Sequence, residues 1–473
     1  MEVDVLVIGA GISGLATAWA LARRGLEVQV WERGANPGGK IRSTRAGGYL
    51  MERAATLVAG PGRDAGALVD ALGLTGSRLD RPARVPRHVM HERRLVTLGP
   101  ELRRVLFAPL WSTRGRLRMA LEPFVGRGSG EETVEGFVSR RFGREALERV
   151  FEPYVAGPLG SDVHLASAGA VLPQLVGLER RYGSIAIGLL IRYLARAGRP
   201  AFEAFSFQGG MSTLIGGLAH APGVTVTTEL EAAGLEPLGG GWRARGRGRS
   251  GTRELRARQV VLAVPAPAAA RLVAPLDGVL ASLLGGVHYA AISVVHLGFE
   301  VDRIGHDLNG MGFLTTRCSG TDINGCLWSS SLFPGRAPPG KALLTVYLGG
   351  ARNPGVVSWS EGECVERAVS DVGPALGLRG APDFVRVVRH RRALPLYHGR
   401  YTSRLSALAE RLRQMPGLHL EANYRGGVAV RNRLLRGELL GARVAAALEG
   451  GGECSTRSRW RPWHRAPPAG TSA

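Results

Sequence analysis

Only four cysteines occur in the 473 residues: Cys318, Cys326, Cys364 and Cys454. No two stand at C-x-x-C spacing, so neither a zinc knuckle nor a redox dithiol is indicated, no metal site is expected, and a reducing compartment fits. Lysine is scarcer still, with Lys40 and Lys341 alone, while arginine is spread along the whole chain. No window holds 18 uninterrupted apolar residues, so any membrane contact is expected to be peripheral. The run Ile185–Ile191 stops at Arg192. No signal peptide is expected, because residues 3–8 read as a buried strand flanked by Glu2 and Asp4. Basic residues are nowhere interleaved with aromatics as in a nucleic-acid platform, so no nucleic-acid partner is expected.

What the chain does have is arginine, glycine and a large apolar fraction. The formal net charge is +22 at pH 7, which points to an anionic partner: nucleic acid, a lipid surface or an acidic substrate. Arg-rich genome composition is the plainer reading of the same number. Hydrophobic residues make up 45 % of the chain, so a large core can form, and its length suggests two or three packed units. The 68 glycines predict many turns and close backbone approaches.

The amino terminus carries the sharpest signal. Val3–Ile8 reads as a buried parallel strand, and Gly9-Ala10-Gly11-Ile12-Ser13-Gly14 follows at once. A helical pattern through Leu15, Trp19 and Leu21 ends near Gly25, and a second strand, Glu27–Trp31, ends at Glu32. This is a β-α-β unit with a glycine fingerprint and a terminal acid. Gly9 permits the turn, Gly11 lets the backbone approach a pyrophosphate, and Gly14 lets helix and strand pack. The helix N-terminus offers free N–H groups to phosphate, and Glu32 can accept hydrogen bonds from ribose hydroxyls. Gly38-Gly39-Lys40 follows, where a basic residue beside backbone N–H groups suits a diphosphate.

Further strand-rich blocks lie far along the chain. Gln208–Met211 precedes a helix, Gly223–Val226 and Gln259–Val264 read as strands, and Leu418–Leu420 is a strand before a glycine turn at Gly426-Gly427 and a helix from about Leu434 to Leu448. A dinucleotide-binding domain assembled from separated segments is expected. It comprises residues 1–79, 207–285 and 413–450. Residues 80–190 read as a mostly helical, basic, amphipathic insertion, with Arg93, Arg94, Arg103, Arg104, Arg114, Arg116 and Arg118 among Leu102, Leu106, Phe107, Trp111 and Leu117. Such a stretch suits an anionic membrane surface, or equally a solvated face over a core. Residues 191–206 and 286–412 are assigned to a mixed-sheet substrate domain, and 451–473 to a disordered basic tail.

From Val3 to about Leu448 the chain resembles the oxygen-dependent protoporphyrinogen oxidases, FAD-dependent members of the amine oxidase superfamily. The pieces that carry this are Gly9–Gly14, Phe151–Gly157, Leu172–Leu175, Phe207–Gly210, Tyr289–Phe299, Gly310–Leu314, Leu348–Gly350 and Gly427–Val430, in order and at similar spacing. The resemblance implies an α/β fold with a Rossmann-like FAD-binding domain. It also implies six-electron oxidation of protoporphyrinogen IX in haem synthesis, by hydride transfer to flavin N5, with molecular oxygen as acceptor and hydrogen peroxide as product. No side chain is assigned as a catalytic base. Noncovalent FAD would be held by Gly9, Gly11, Ile12, Ser13, Gly14, Glu32, Arg33, Gly38, Gly39, Lys40, Arg42, Val226, Gly427, Val428, Ala429 and Val430. The tetrapyrrole would meet Arg87 at a propionate, Gly157 at the pyrrole N–H groups, and an apolar wall of Gly312, Leu314 and Tyr347.

The resemblance further implies a cytoplasmic protein peripheral to the inner face of the membrane, and a homodimer is compatible with it. Two departures stand out: Glu52-Arg53-Ala54-Ala55 where the family has Glu-x-Gly-Pro, and Arg431-Asn432 where it has Asn-Asp. Alternatives stay open: coproporphyrinogen III or another apolar acid as substrate, or a partner that binds FAD or tetrapyrrole without turnover.

Overall fold

A computed structural model describes residues 2–81, 85–98, 108–128, 130–194, 202–249 and 251–449. The tail expected at 451–473, and Arg103, Arg104, Leu102, Leu106 and Phe107 of the basic stretch, lie outside the described residues.

Two seven-stranded sheets organise the molecule. The first is built around Glu2–Ile8, a strand with almost no polar side chain to place, which pairs in parallel with Val28–Trp31 on one side and Gly251–Leu262 on the other. Val224–Thr227 extends it in parallel beyond Val28–Trp31, and Leu418–Leu420 adds in parallel to the end of Gly251–Leu262. All three distant segments expected to complete the dinucleotide unit therefore meet in one sheet. Such all-parallel pairing requires both faces covered, and both are. Helices Ile12–Ala22, Ser212–Ala219 and Val430–Glu449 close one face through Leu15, Trp19, Leu214 and Leu434, while Ala266–Val273, Gly278–Gly285 and Tyr401–Arg413 close the other through Leu272, Leu280 and Leu408. The last helix begins at Val430, four residues earlier than the expected Leu434, so its first turn opens directly from the glycine turn.

The second sheet runs in the order Phe384–Pro395, Tyr289–Glu300, Lys341–Gly349, Ile323–Trp328, Gly312–Thr315, Arg87–His91 and Arg94–Leu98. Its last two strands correct the reading of 80–190 as essentially helical. Arg87–His91 pairs in parallel with Gly312–Thr315, and Arg87–Leu98 is a hairpin. The turn is made by Glu92 and Arg93, both with positive φ (50° and 61°), a primed turn without the Asn-Gly signature that normally reveals one. The remainder of that insertion is helical, with its own core of Phe137, Leu147, Val155 and Leu178. Strand Phe202–Phe207 pairs with Val58–Pro61 and Arg78–Asp80, beside the first sheet rather than within the second.

Candidate active site: a glycine cradle facing an apolar wall

A cavity of about 4120 Å³ separates the two sheets. At its floor the first strand ends in Gly9, whose φ of +104° strains any other residue and where a Cβ would stand 2.9 Å from the Ala263 carbonyl oxygen. A Cβ on Gly14 would collide with the Gly9 carbonyl oxygen, so helix Ile12–Ala22 reaches the strand only because residue 14 is glycine. Gly11 differs from both: a Cβ there would meet nothing within 4 Å. The surface over Gly11 is open, and the free N–H groups of the helix N-terminus face into it, an anion site by geometry.

Glu32 lies beside this loop. Its carboxylate accepts from Ala10 N at 2.9 Å and from Gly34 N at 2.8 Å, so it fixes the cradle while further lone pairs stay available for a ribose. Gly38 donates through its N–H to the Ala10 carbonyl at 2.7 Å, which presses the Gly38-Gly39 turn onto the first loop. Arg33, Arg42, Ile12 and Ser13 line the same space. Lys40 does too, but its ammonium donates to the Ala393 carbonyl on the second sheet and lies 5.4 Å from the centre of the Tyr289 ring. Gly427, Val428, Ala429 and Val430 line the cavity where helix Val430–Glu449 begins, a second helix N-terminus opening on it. Val226 is not part of the wall. It pairs with Val30 and packs against the sheet's core.

The opposite wall is made by the second sheet and the helical insertion. Gly157, Leu314 and Tyr347 line it, and a Cβ on Gly157 would stand 2.6 Å from Leu314 Cδ2. Tyr347 is held by its hydroxyl, 3.3 Å from Thr56 Oγ1, and burial pushes its phenol up to about 12. Gly312 lies outside the wall. Its φ is +113°, and a Cβ there would collide with the Cys326 carbonyl oxygen, so this glycine serves strand pairing. Arg87 is exposed at the start of its strand and does not line the cavity; its charge is felt by the phenol of Tyr154, which does.

Both departures from the family pattern have partners in this fold. Ala54 and Ala55 line the cavity, and the segment is anchored by Glu52, which accepts from Met211 N (2.9 Å), Ser43 Oγ (2.7 Å) and the buried Arg336 (2.8 Å). Arg431 fills the space beside Gly60, where a Cβ would overlap it, and pairs with Asp64 at 3.1 Å. Asn432 donates to the Gly426 carbonyl at 3.3 Å and so holds the glycine turn.

One wall residue was not singled out from sequence. Asn324 is 1 % exposed, donates through Nδ2 to the Gly349 carbonyl at 2.9 Å, and leaves Oδ1 without a partner. It lines the cavity next to Gly157 and Leu314. A buried carbonyl with no donor is costly unless a ligand supplies one.

Residues 12–426 match the family described as flavin containing amine oxidoreductase. The chain belongs to that family. Its cofactor is FAD, and the cradle fits one: open space over Gly11, two helix N-termini and an acid at the end of the second strand. Among curated members, the chain is 30 % identical to "Protoporphyrinogen oxidase, mitochondrial" of Nicotiana tabacum, with 92 % of this chain and 93 % of that protein covered. It is 26 % identical to "Coproporphyrinogen III oxidase" of Bacillus subtilis (strain 168), with 90 % and 94 % covered. The fold is shared with a solved protein of Exiguobacterium sp. 255-15 at a TM-score of 0.75, with 20 % identity and coverage of 94 % and 99 %. Reduced UDP-galactopyranose mutase shares it at a TM-score of 0.72, with 14 % identity and coverage of 96 % and 95 %. As a family member the protein is an oxidoreductase related to porphyrinogen oxidases.

Proposed function

We propose that the protein oxidises protoporphyrinogen IX to protoporphyrin IX, with molecular oxygen as terminal acceptor and hydrogen peroxide as product. The observation that carries this reading is the cavity. At about 4120 Å³ it far exceeds the 300–1,000 Å³ usual for a small-ligand pocket, which leaves room for a macrocycle beside a dinucleotide. Its far wall presents Leu314, Ile292, Val294 and Tyr347 to the flat faces of a ring system. Asn324 Oδ1 and the backbone at Gly157 accept the inward-pointing pyrrole N–H groups. The Nicotiana relative supports the same substrate class.

Bound FAD supplies the two-electron acceptor, held noncovalently. The chain's residues do the rest. The glycine cradle fixes the dinucleotide, the Gly157–Leu314 contact sets the depth of the ring slot, and the apolar wall excludes water from the reacting carbon. The test is porphyrin fluorescence after protoporphyrinogen IX and coproporphyrinogen III are added in parallel. Faster turnover of the first is expected. Turnover of coproporphyrinogen alone would move the assignment to the class of the Bacillus relative.

The proposal includes a peripheral seat on an anionic bilayer at the inner face of the cytoplasmic membrane. Helix Ile185–Leu194 leaves Leu190, Tyr193 and Leu194 exposed at 56, 68 and 72 %, and the short turn Glu122–Phe124 packed against it leaves Phe124 exposed at 86 %. Glu122 accepts from Ile185 N and Ala186 N and so fixes the two together. Arg180, Arg181 and Arg192 stand beside this apolar face at the cavity mouth. No helix among the described residues is long and apolar enough to cross a membrane. Salt-sensitive binding to anionic vesicles is expected, and equal binding to neutral ones would count against the seat.

A further inference from the structure

We infer that Lys40 is the group that takes up the protons shed by the tetrapyrrole as it is oxidised, an inference that rests on the substrate reading above. Three observations lead there. First, place: Lys40 belongs to the turn of the cofactor cradle, yet its ammonium reaches across the cavity wall to the Ala393 carbonyl of the facing sheet, where both units meet. Second, company: the two lysines of the chain are opposites. Lys341 is an exposed partner of Glu300 at 2.8 Å and of Asp383 at 3.6 Å. Lys40 is enclosed, and among the described residues its bonded neighbour is a neutral carbonyl. Third, choice of residue: the chain carries 61 basic residues and only these two are lysine. Arginine serves nearly every other cationic position, and arginine cannot give up its proton, whereas a buried lysine can.

The titratable and charged groups around Lys40 favour a free amine. Tyr289 faces it from the strand Tyr289–Glu300, with Arg392 acting on that phenol from the strand Phe384–Pro395. His390, on the latter strand, accepts from or donates to the Arg53 carbonyl region at 2.7 Å, and its imidazole is disfavoured as a cation by burial and then by Lys40 and Arg53. Tyr397 completes the wall as a phenol pushed upward by burial. None of these is an anion at neutral pH. Burial lowers the Lys40 amine to about 8.

The chemistry needs such a group. Each two-electron step breaks a bridge C–H bond, and the hydride leaves with its electron pair to the flavin that the family holds. The remaining cation becomes neutral when a pyrrole N–H bond breaks. That electron pair stays on nitrogen, and the proton joins the lone pair of the Lys40 amine, directly or through water. The ammonium so formed donates to the Ala393 carbonyl until it passes its proton to solvent. Because the free amine is the acceptor, the oxidation rate should rise as pH increases through the amine's titration.

Two lysines make the test clean. In the holoprotein, reductive methylation with ¹³C-formaldehyde labels Lys40, Lys341 and the terminal amine, and Lys341→Arg assigns the signals. Lys40 is expected to titrate about two pH units below Lys341. Lys40→Arg keeps a cation and a donor to Ala393, so a merely structural lysine would be rescued by it. Lys40→Met removes both. For the proton role, both variants should keep their flavin spectrum, slow porphyrinogen-driven flavin reduction about 100-fold or more, and lose the rise in rate near pH 8. Wild-type rate and pH profile in Lys40→Arg, or titration of Lys40 alongside Lys341, would overturn this role while leaving the substrate reading intact. A wild type that oxidises no porphyrinogen would overturn both.

Discussion

The cradle and the wall of this cavity are built from different materials. The cradle is backbone: Gly9, Gly11 and Gly14 in one turn, Gly38-Gly39 pressed onto it, Gly426-Gly427 opening a second helix. Each glycine is fixed by a contact that a methyl group would violate or by a space that a ligand needs. The wall is side chain: Leu314, Tyr347, Ile292, Val294 and Asn324, brought from strands far apart in sequence. Backbone sites tolerate no substitution but recognise only the shared part of a cofactor. Side-chain walls tolerate change and decide what else may enter. A family that holds one cofactor and many substrates follows from that division.

The contrast predicts graded effects. Gly14→Val should be the most severe, because its side chain would overlap the Gly9 carbonyl and push helix Ile12–Ala22 off the sheet. We expect protein without flavin or no soluble protein, read from the ratio of visible to ultraviolet absorbance. Normal flavin content would show that the cradle is not set by backbone packing. Glu32→Ala should weaken FAD binding by about 1.5–3 kcal/mol, since both the ribose acceptor and the two loop bonds to Ala10 and Gly34 are lost. Flavin release on dialysis measures it, with porphyrinogen kinetics at saturating FAD little changed.

On the wall the effects should shrink and move to the substrate. Asn324→Leu keeps the volume and removes the unpartnered acceptor, so KM for protoporphyrinogen should rise by about 5- to 10-fold, equivalent to about 1 kcal/mol, with flavin content unchanged. An unchanged KM would show that this carbonyl faces water instead. Arg87→Ala should have the smallest effect. The residue is exposed beyond the cavity wall, so a propionate contact there is screened and contributes about 1 kcal/mol or less. Raised salt should remove the difference between Arg87→Ala and the parent protein.

How far the sequence could be read follows the same division. The strand, glycine triplet, helix and acid at residues 3–32 are local, so their geometry is written in consecutive residues, and the structure forms them in place. The strands at 224–227, 251–262 and 418–420 were visible as short apolar runs, and their assembly beside the first strand follows from the βαβ rule. The wall was less legible. Gly312 was read as lining, yet it serves strand pairing, because a glycine at a ring slot and a glycine under a facing carbonyl look alike in sequence. Asn324 was invisible because nothing local distinguishes a free Oδ1 from a bonded one. The Arg87–Leu98 hairpin was hidden by a turn of Glu92 and Arg93, residues that carry no primed-turn signature.

The account stands on a porphyrinogen meeting a bound flavin in this cavity, and anaerobic mixing examines that step alone. With oxygen removed, protoporphyrinogen IX added to the purified yellow protein should bleach the flavin absorbance as one two-electron step per site, and admission of air should restore the colour as porphyrin fluorescence grows. Flavin that remains oxidised under excess protoporphyrinogen, in protein that retains its full flavin content, would contradict the account.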